Sequence, residues 1–181
     1  MRSLTLLFGA ALASGCATSA TRLEGPLLEL AHDEGRPSQK PLTPGRAFEM
    51  LIHFDPKLPS YRLERLRFRL AQPGRIVIAI YADAGGKPGR VLKEIDHRYG
   101  PELVGAVEDG KWLVEDLGGL PLGGPIFVGL SSPEKEGDPR LFATENDTGE
   151  AFQRETDPPD SIAKIPRTPV LRIEVSPSGA R

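Results

Sequence analysis

The chain has one cysteine, Cys16, among 181 residues. A single thiol can close no disulfide within the chain, so the fold must stand on its core. Histidine is also scarce: His32, His53 and His97 have no metal-ligand spacing and no second cysteine to help them hold zinc. Aromatic residues make up 6% of the chain, with one tryptophan, Trp112, which leaves little for a platform that stacks sugar rings. Neither sign of charge dominates, because 23 Lys and Arg face 25 Asp and Glu for a formal net charge of −2. A near-neutral chain lacks the basic footprint that nucleic acid requires. Nucleophile motifs are missing too: there is no Gly-x-Ser-x-Gly, and Ser131-Ser132 ends an apolar run without a base signalled nearby. The expectation is a protein that is not an enzyme and needs no cofactor.

No stretch reaches transmembrane length. The apolar run from Leu4 to Ala13 is too short to cross roughly 30 Å of hydrocarbon as a helix. It follows Arg2 and leads into Ala13-Ser14-Gly15-Cys16, which is the layout of a processing signal. These residues resemble the bacterial lipoprotein signal, in which small residues precede an acylated cysteine. The resemblance implies cleavage between Gly15 and Cys16, diacylglycerol on the Cys16 thiol and an acylated new amino terminus. Two or more acyl chains give stable anchoring, since each buried methylene adds about 0.8 kcal/mol of membrane affinity. Residue 17 is Ala rather than Asp, which in such lipoproteins points to the outer membrane. Residues 1–15 are then a signal peptide, 16–25 the lipidated cysteine with an Ala/Thr/Ser-rich tether, and 26–181 one folded domain.

Glycine (20) and proline (18) are plentiful and spread along that domain, as in short strands joined by turns. Phe48, Met50, Ile52 and Phe54 alternate over 47–54. In 61–71, Leu66, Phe68 and Leu70 take one side and Arg65, Arg67 and Arg69 the other. Residues 75–82 are apolar on both faces, which marks a central strand. Further strands are expected over 27–30, 91–98, 111–117, 125–131 and 170–175, with a pairing segment at 141–144. The run GGLPLGG is expected to separate two strands, and 145–168 reads as a polar, proline-broken surface excursion. No helical stripe follows residue 20. Eight or nine strands with turns between them predict an antiparallel, jelly-roll-like β-sandwich whose last strand closes near its first.

From Ile76 onward the sequence IVIAIYADAGGKPGRVL, then Trp112, IFVGL at 126–130 and LRIEV at 171–175 form a recognisable series. It resembles bacterial extracellular β-sandwich domains of the choice-of-anchor, galactose-binding-like kind, over about residues 61–176. Asp83, Gly86, Pro88 and Gly89 match that family's turn. The resemblance implies a fold found in surface proteins, and fold does not set function. The turn is also intelligible by itself, with glycines for positive φ and Asp83 to cap the backbone.

Two places invite a ligand. Arg65, Arg67 and Arg69 form a candidate basic strip for anionic envelope polymer or lipid headgroups, or else a solvated face paired with Glu94 or Glu115. Asp83 and Asp147 mark a candidate loop site, and the acids from Glu145 to Glu150 could gather oxygens for calcium, although their spacing departs from the EF-hand. The functional expectation is a non-enzymatic outer-membrane lipoprotein that binds or assembles with an envelope protein. The alternative is a module that binds peptidoglycan or exopolysaccharide. The expected partners are the membrane, through the lipid, and an envelope protein or glycan, with no nucleic acid.

Overall fold

A computed structural model describes residues 26–33, 37–38, 40–44, 48–105, 111–133, 139–145, 149–155 and 161–178. Cys16, the signal, the tether and Asp147 lie outside the described residues.

The described chain is all-β. In order, its strands are β1 (Leu28–Ala31), β2 (Phe48–Phe54), β3 (Tyr61–Phe68), β4 (Leu70–Gln72), β5 (Gly74–Asp83) and β6 (Pro88–Tyr99). After one 3-10 turn, Pro101–Leu103, come β7 (Leu113–Leu122), β8 (Ile126–Ser131), β9 (Arg140–Leu141), β10 (Ala151–Glu155), β11 (Ile162–Lys164) and β12 (Leu171–Pro177). All pairings are antiparallel. A four-stranded sheet has the order β1-β12-β3-β7, a six-stranded sheet the order β11-β10-β2-β8-β5-β6, and β4 pairs with β9.

Period-two alternation explains where the core lies. From the six-stranded sheet, Met50, Ile52 and Phe54, Ile76, Ile78 and Ile80, and Ile126, Val128 and Leu130 join one buried cluster. Tyr61, Leu63, Leu66 and Phe68 of β3 and Leu171, Ile173 and Val175 of β12 enter the same cluster from the four-stranded sheet. Strand β5 lies between β8 and β6 and buries both faces, since Ala79 and Tyr81 join a second cluster with Leu51 and Phe127. The two-sided apolar run had predicted that position. Closure of the last strand on the first is also observed, with Leu28 opposite Val175 and Ala31 opposite Arg172.

Several expectations are corrected. The described residues form twelve strands in three sheets, not eight or nine. The 61–71 run is two strands, because after Phe68 the chain leaves β12 and pairs Leu70 with Leu141. Side-chain alternation passes through Arg69 unbroken, so the change of sheet left no periodic signal. GGLPLGG begins inside a strand rather than after one: Gly118 and Gly119 adopt φ of +70° and +66° inside β7, which continues to Leu122, and only Gly123 to Pro125 separate it from β8. The register there slips from Leu63–Leu120 to Arg65–Asp116, a bulge that glycine permits. The 145–168 excursion contains β10 and β11, which extend the six-stranded sheet. β10 reads Ala-Phe-Gln-Arg-Glu and mixes apolar and polar residues on both faces, so alternation could not reveal it.

Candidate functional site

The outer face of the four-stranded sheet carries two cross-strand rows. One is Ala31, Arg172, Arg67 and Val114; the next is Glu29, Glu174, Arg65 and Asp116. Opposite charges two residues apart on neighbouring strands can meet diagonally, and here they do. Arg65 donates to Glu174 at 3.2 Å, and Arg67 donates to Glu174 at 3.3 Å and to Glu29 at 2.8 Å. Arg172 donates to Glu29 at 2.7 Å and grips Asp33 with two bonds, Nε to Oδ2 at 3.0 Å and a terminal nitrogen to Oδ1 at 2.6 Å. The Asp33 bond, ahead of burial and of Glu29, is the main influence on Arg172 and raises its pKa above the ordinary arginine value.

Trp112 sits at this face, just before β7. The Arg172, Arg67 and Arg69 guanidinium carbons lie 4.6, 5.0 and 6.0 Å from its ring centroid, within range of cation–π attraction. Trp112 is partly exposed and is not part of the core cluster. Arg69 departs from the expected strip: it is buried, between Trp112 and Phe142, with its guanidinium 5.2 Å from the Phe142 ring. Arg65 and Arg67 are on the strip as expected, but their counter-ions are Glu174 and Glu29 rather than Glu94 or Glu115. Three arginines (65, 67, 172) thus face three carboxylates (29, 33, 174) in an ion-pair lattice. The named groups leave no surplus positive charge.

Glu115 is used elsewhere. Tyr99 donates to it at 2.6 Å and His97 lies 3.2 Å from it, stacked on Tyr99 at 4.5 Å. His53 Nδ1 donates to Glu150 at 2.9 Å, and His32 donates to the His53 carbonyl at 2.7 Å. Among the described residues no group of acids, histidines and cysteines could hold a metal ion.

Asp83 turns inward on its own loop. Its Oδ1 accepts the Gly86 amide at 2.8 Å, and Gly85 and Gly86 take φ of +73° and +82°. That capping is what the residues predicted. Asp147, the other half of the loop site, lies outside the described residues.

One buried polar group was not found by reading the sequence. On the outer face of the six-stranded sheet, Glu49 is buried, accepts Tyr81 Oη at 2.9 Å and pairs with Arg154. Arg154 also donates to Tyr81 Oη at 2.9 Å and lies 4.9 Å over its ring. Burial first, then the Glu49 charge, pushes the Tyr81 hydroxyl above its usual range. Gly129 makes the room: a Cβ there would stand 2.0 Å from the Glu49 carboxylate and 2.9 Å from the Tyr81 ring. An acid in the middle of the apolar alternation FEMLIHF was the available signal. Its partners lie 32 and 105 residues away.

No family model matches the chain, and no curated protein matches it. A solved structure of the cysteine protease and lectin-like domains of Cwp84, a surface layer associated protein of Clostridium difficile, is similar in fold. The TM-score is 0.51 at 12% identity, and the match covers 74% of this chain and 32% of that one. The chain therefore spans about a third of that protein's length. At this identity the likeness is one of fold alone.

Proposed function

We propose that this chain is a non-enzymatic lipoprotein of the bacterial outer membrane, anchored through acylated Cys16, whose β-sandwich binds or assembles with an envelope protein. One cluster fed by both larger sheets supports the sandwich reading. The observation that carries the binding role is the placement of Trp112. The chain's one tryptophan is kept out of the core and stacked among arginines on a sheet face. Tryptophan and arginine are the residues that dominate binding energy at protein interfaces. Crosslinking in the native cells followed by mass spectrometry tests this. A single protein recovered in near-stoichiometric amount, and lost with Trp112→Ala, supports it; recovery that ignores Trp112 removes this face from the proposal. The same sample must carry lipid on Cys16, or the membrane address is wrong.

The second reading is glycan binding, favoured by the fold shared with a structure that contains a lectin-like domain. Against it, Tyr81 and Phe127 on the six-stranded sheet's outer face are buried, and Phe152 beside them is only partly exposed. Recovery of glycan fragments without a consistent protein would reverse the order of the two readings.

A further inference from the structure

Toward β10 and β11, the outer face of the six-stranded sheet carries a group that the Trp112 face does not use. Period two puts Phe152 and Arg154 on one side of β10, and the strand pairing sets Lys164 opposite Phe152. Glu49 and Tyr81 fix Arg154, both through its Nη2. An apolar trio in that place would avoid the cost of burying Glu49, and buried ion pairs seldom add net stability. What the pair does achieve is to hold one guanidinium in one orientation. Its Nε and Nη1 groups bond to no described residue, and the side chain is 18% exposed.

Lys164 is exposed, and its ammonium lies 6.0 Å from the Phe152 ring centroid. Among the described residues it has no carboxylate partner. The acids beside this group are engaged, Glu49 by Tyr81 and Arg154, and Glu150 by His53. Phe152 is partly exposed next to both cations.

We propose that Phe152, Arg154 and Lys164 form a binding site for a carboxylated sugar, a hexuronic acid unit of an anionic glycan. The proposal rests on the glycan reading and names the sugar for it. Lys164 supplies the uncompensated positive charge, and the fixed guanidinium supplies N–H donors in the planar fork that matches a carboxylate. Fixing Arg154 beforehand removes side-chain entropy that binding would otherwise cost. A hexuronic acid carries a planar carboxylate and an apolar ring face in one rigid unit. A single sugar can therefore meet the guanidinium and lie on the open part of Phe152. An acidic side chain of a peptide brings its carboxylate on a flexible stem with no flat face. A neutral sugar leaves both cations unanswered.

The test is isothermal titration of the full-length, detergent-solubilised chain with trigalacturonate. The same trimer with its carboxyls reduced to alcohols, and a triglutamate peptide, are titrated beside it. Binding of trigalacturonate that neither of the others matches is expected. Lys164→Gln, at an exposed position, should weaken it about threefold and reduce its salt dependence. Arg154→Lys keeps a charge for Glu49 but loses the fork, and should weaken it about tenfold. Circular dichroism checks the fold of each variant, and Lys164→Gln carries the test if Arg154→Lys does not fold. No binding of trigalacturonate, or binding that ignores the folded variants, overturns the site. Equal binding of the reduced trimer overturns the preference for an acid and leaves the glycan reading in place. Equal binding of triglutamate overturns the sugar.

Discussion

Asp33 and Arg172, 139 residues apart, are joined by two hydrogen bonds, and the Asp33 side chain is fully shielded from solvent. Removing one member of a shielded pair strands the other, which costs far more than the pair's net contribution. Arg172→Gln should therefore destabilise the domain by about 3 kcal/mol. Arg65→Gln, whose side chain is half exposed, should cost less than about 1 kcal/mol. Urea midpoints of the two variants give the comparison, and an equal loss would mean that shielding does not decide the outcome.

Gly129 is the second expected weak point. An alanine there must displace the Glu49 carboxylate, which Tyr81 and Arg154 hold in place. The cost should be about 2 kcal/mol, in the range of overpacked interiors, with a changed near-ultraviolet tyrosine signal. A Gly129→Ala protein with an unaltered melting curve would show that Glu49 can swing clear.

All three tyrosines, Tyr61, Tyr81 and Tyr99, have hydroxyl pKa values raised first by burial, Tyr61 to about 12. In an unfolded chain a tyrosine titrates near 10. A raised folded value means that the stabilisation is fully present below about pH 10 and is lost as pH climbs through the folded values. Absorbance at 295 nm should thus stay silent at pH 10 and rise together with unfolding at higher pH. Ionisation of any tyrosine near pH 10 with intact circular dichroism would contradict this burial.

Asp83→Ala should cost about 1 kcal/mol, the usual worth of a lost side-chain cap on a backbone amide. The effect should be confined to the turn, because Asp83 Oδ1 bonds the Gly86 amide three residues on. Hydrogen exchange at Gly86 is the direct measurement. A melting temperature that moves with added calcium in the parent and not in the variant would instead make Asp83 a ligand.

Local patterns in the sequence were enough to place most strands of the all-β core. Phe48 to Phe54 alternates because one face meets the core, and the two-sided apolar character of 75–82 reflects burial of both faces over Ile78–Tyr81, with Arg75 exposed at its start. The turn at 83–89 was legible for the same reason: its bonds lie within a few residues. β10 was not legible, because its inward Ala151 and Gln153 and its outward Phe152 and Arg154 mix polarity on each face. The sheet switch at Arg69 and the bulge at Gly118-Gly119 depend on which strand is next door, and no local period records that.

The candidate site divides along the same line. By itself the sequence determined that Arg65 and Arg67 share a sheet face, since period two is a property of the extended backbone. Tertiary structure alone decided that Glu174 and Glu29, 107 and 38 residues from Arg67, would neutralise them, and that Arg172 and Trp112 would join them. Charge attraction acts on whatever the strand order brings within a few ångströms, and strand order is fixed by how the whole core closes.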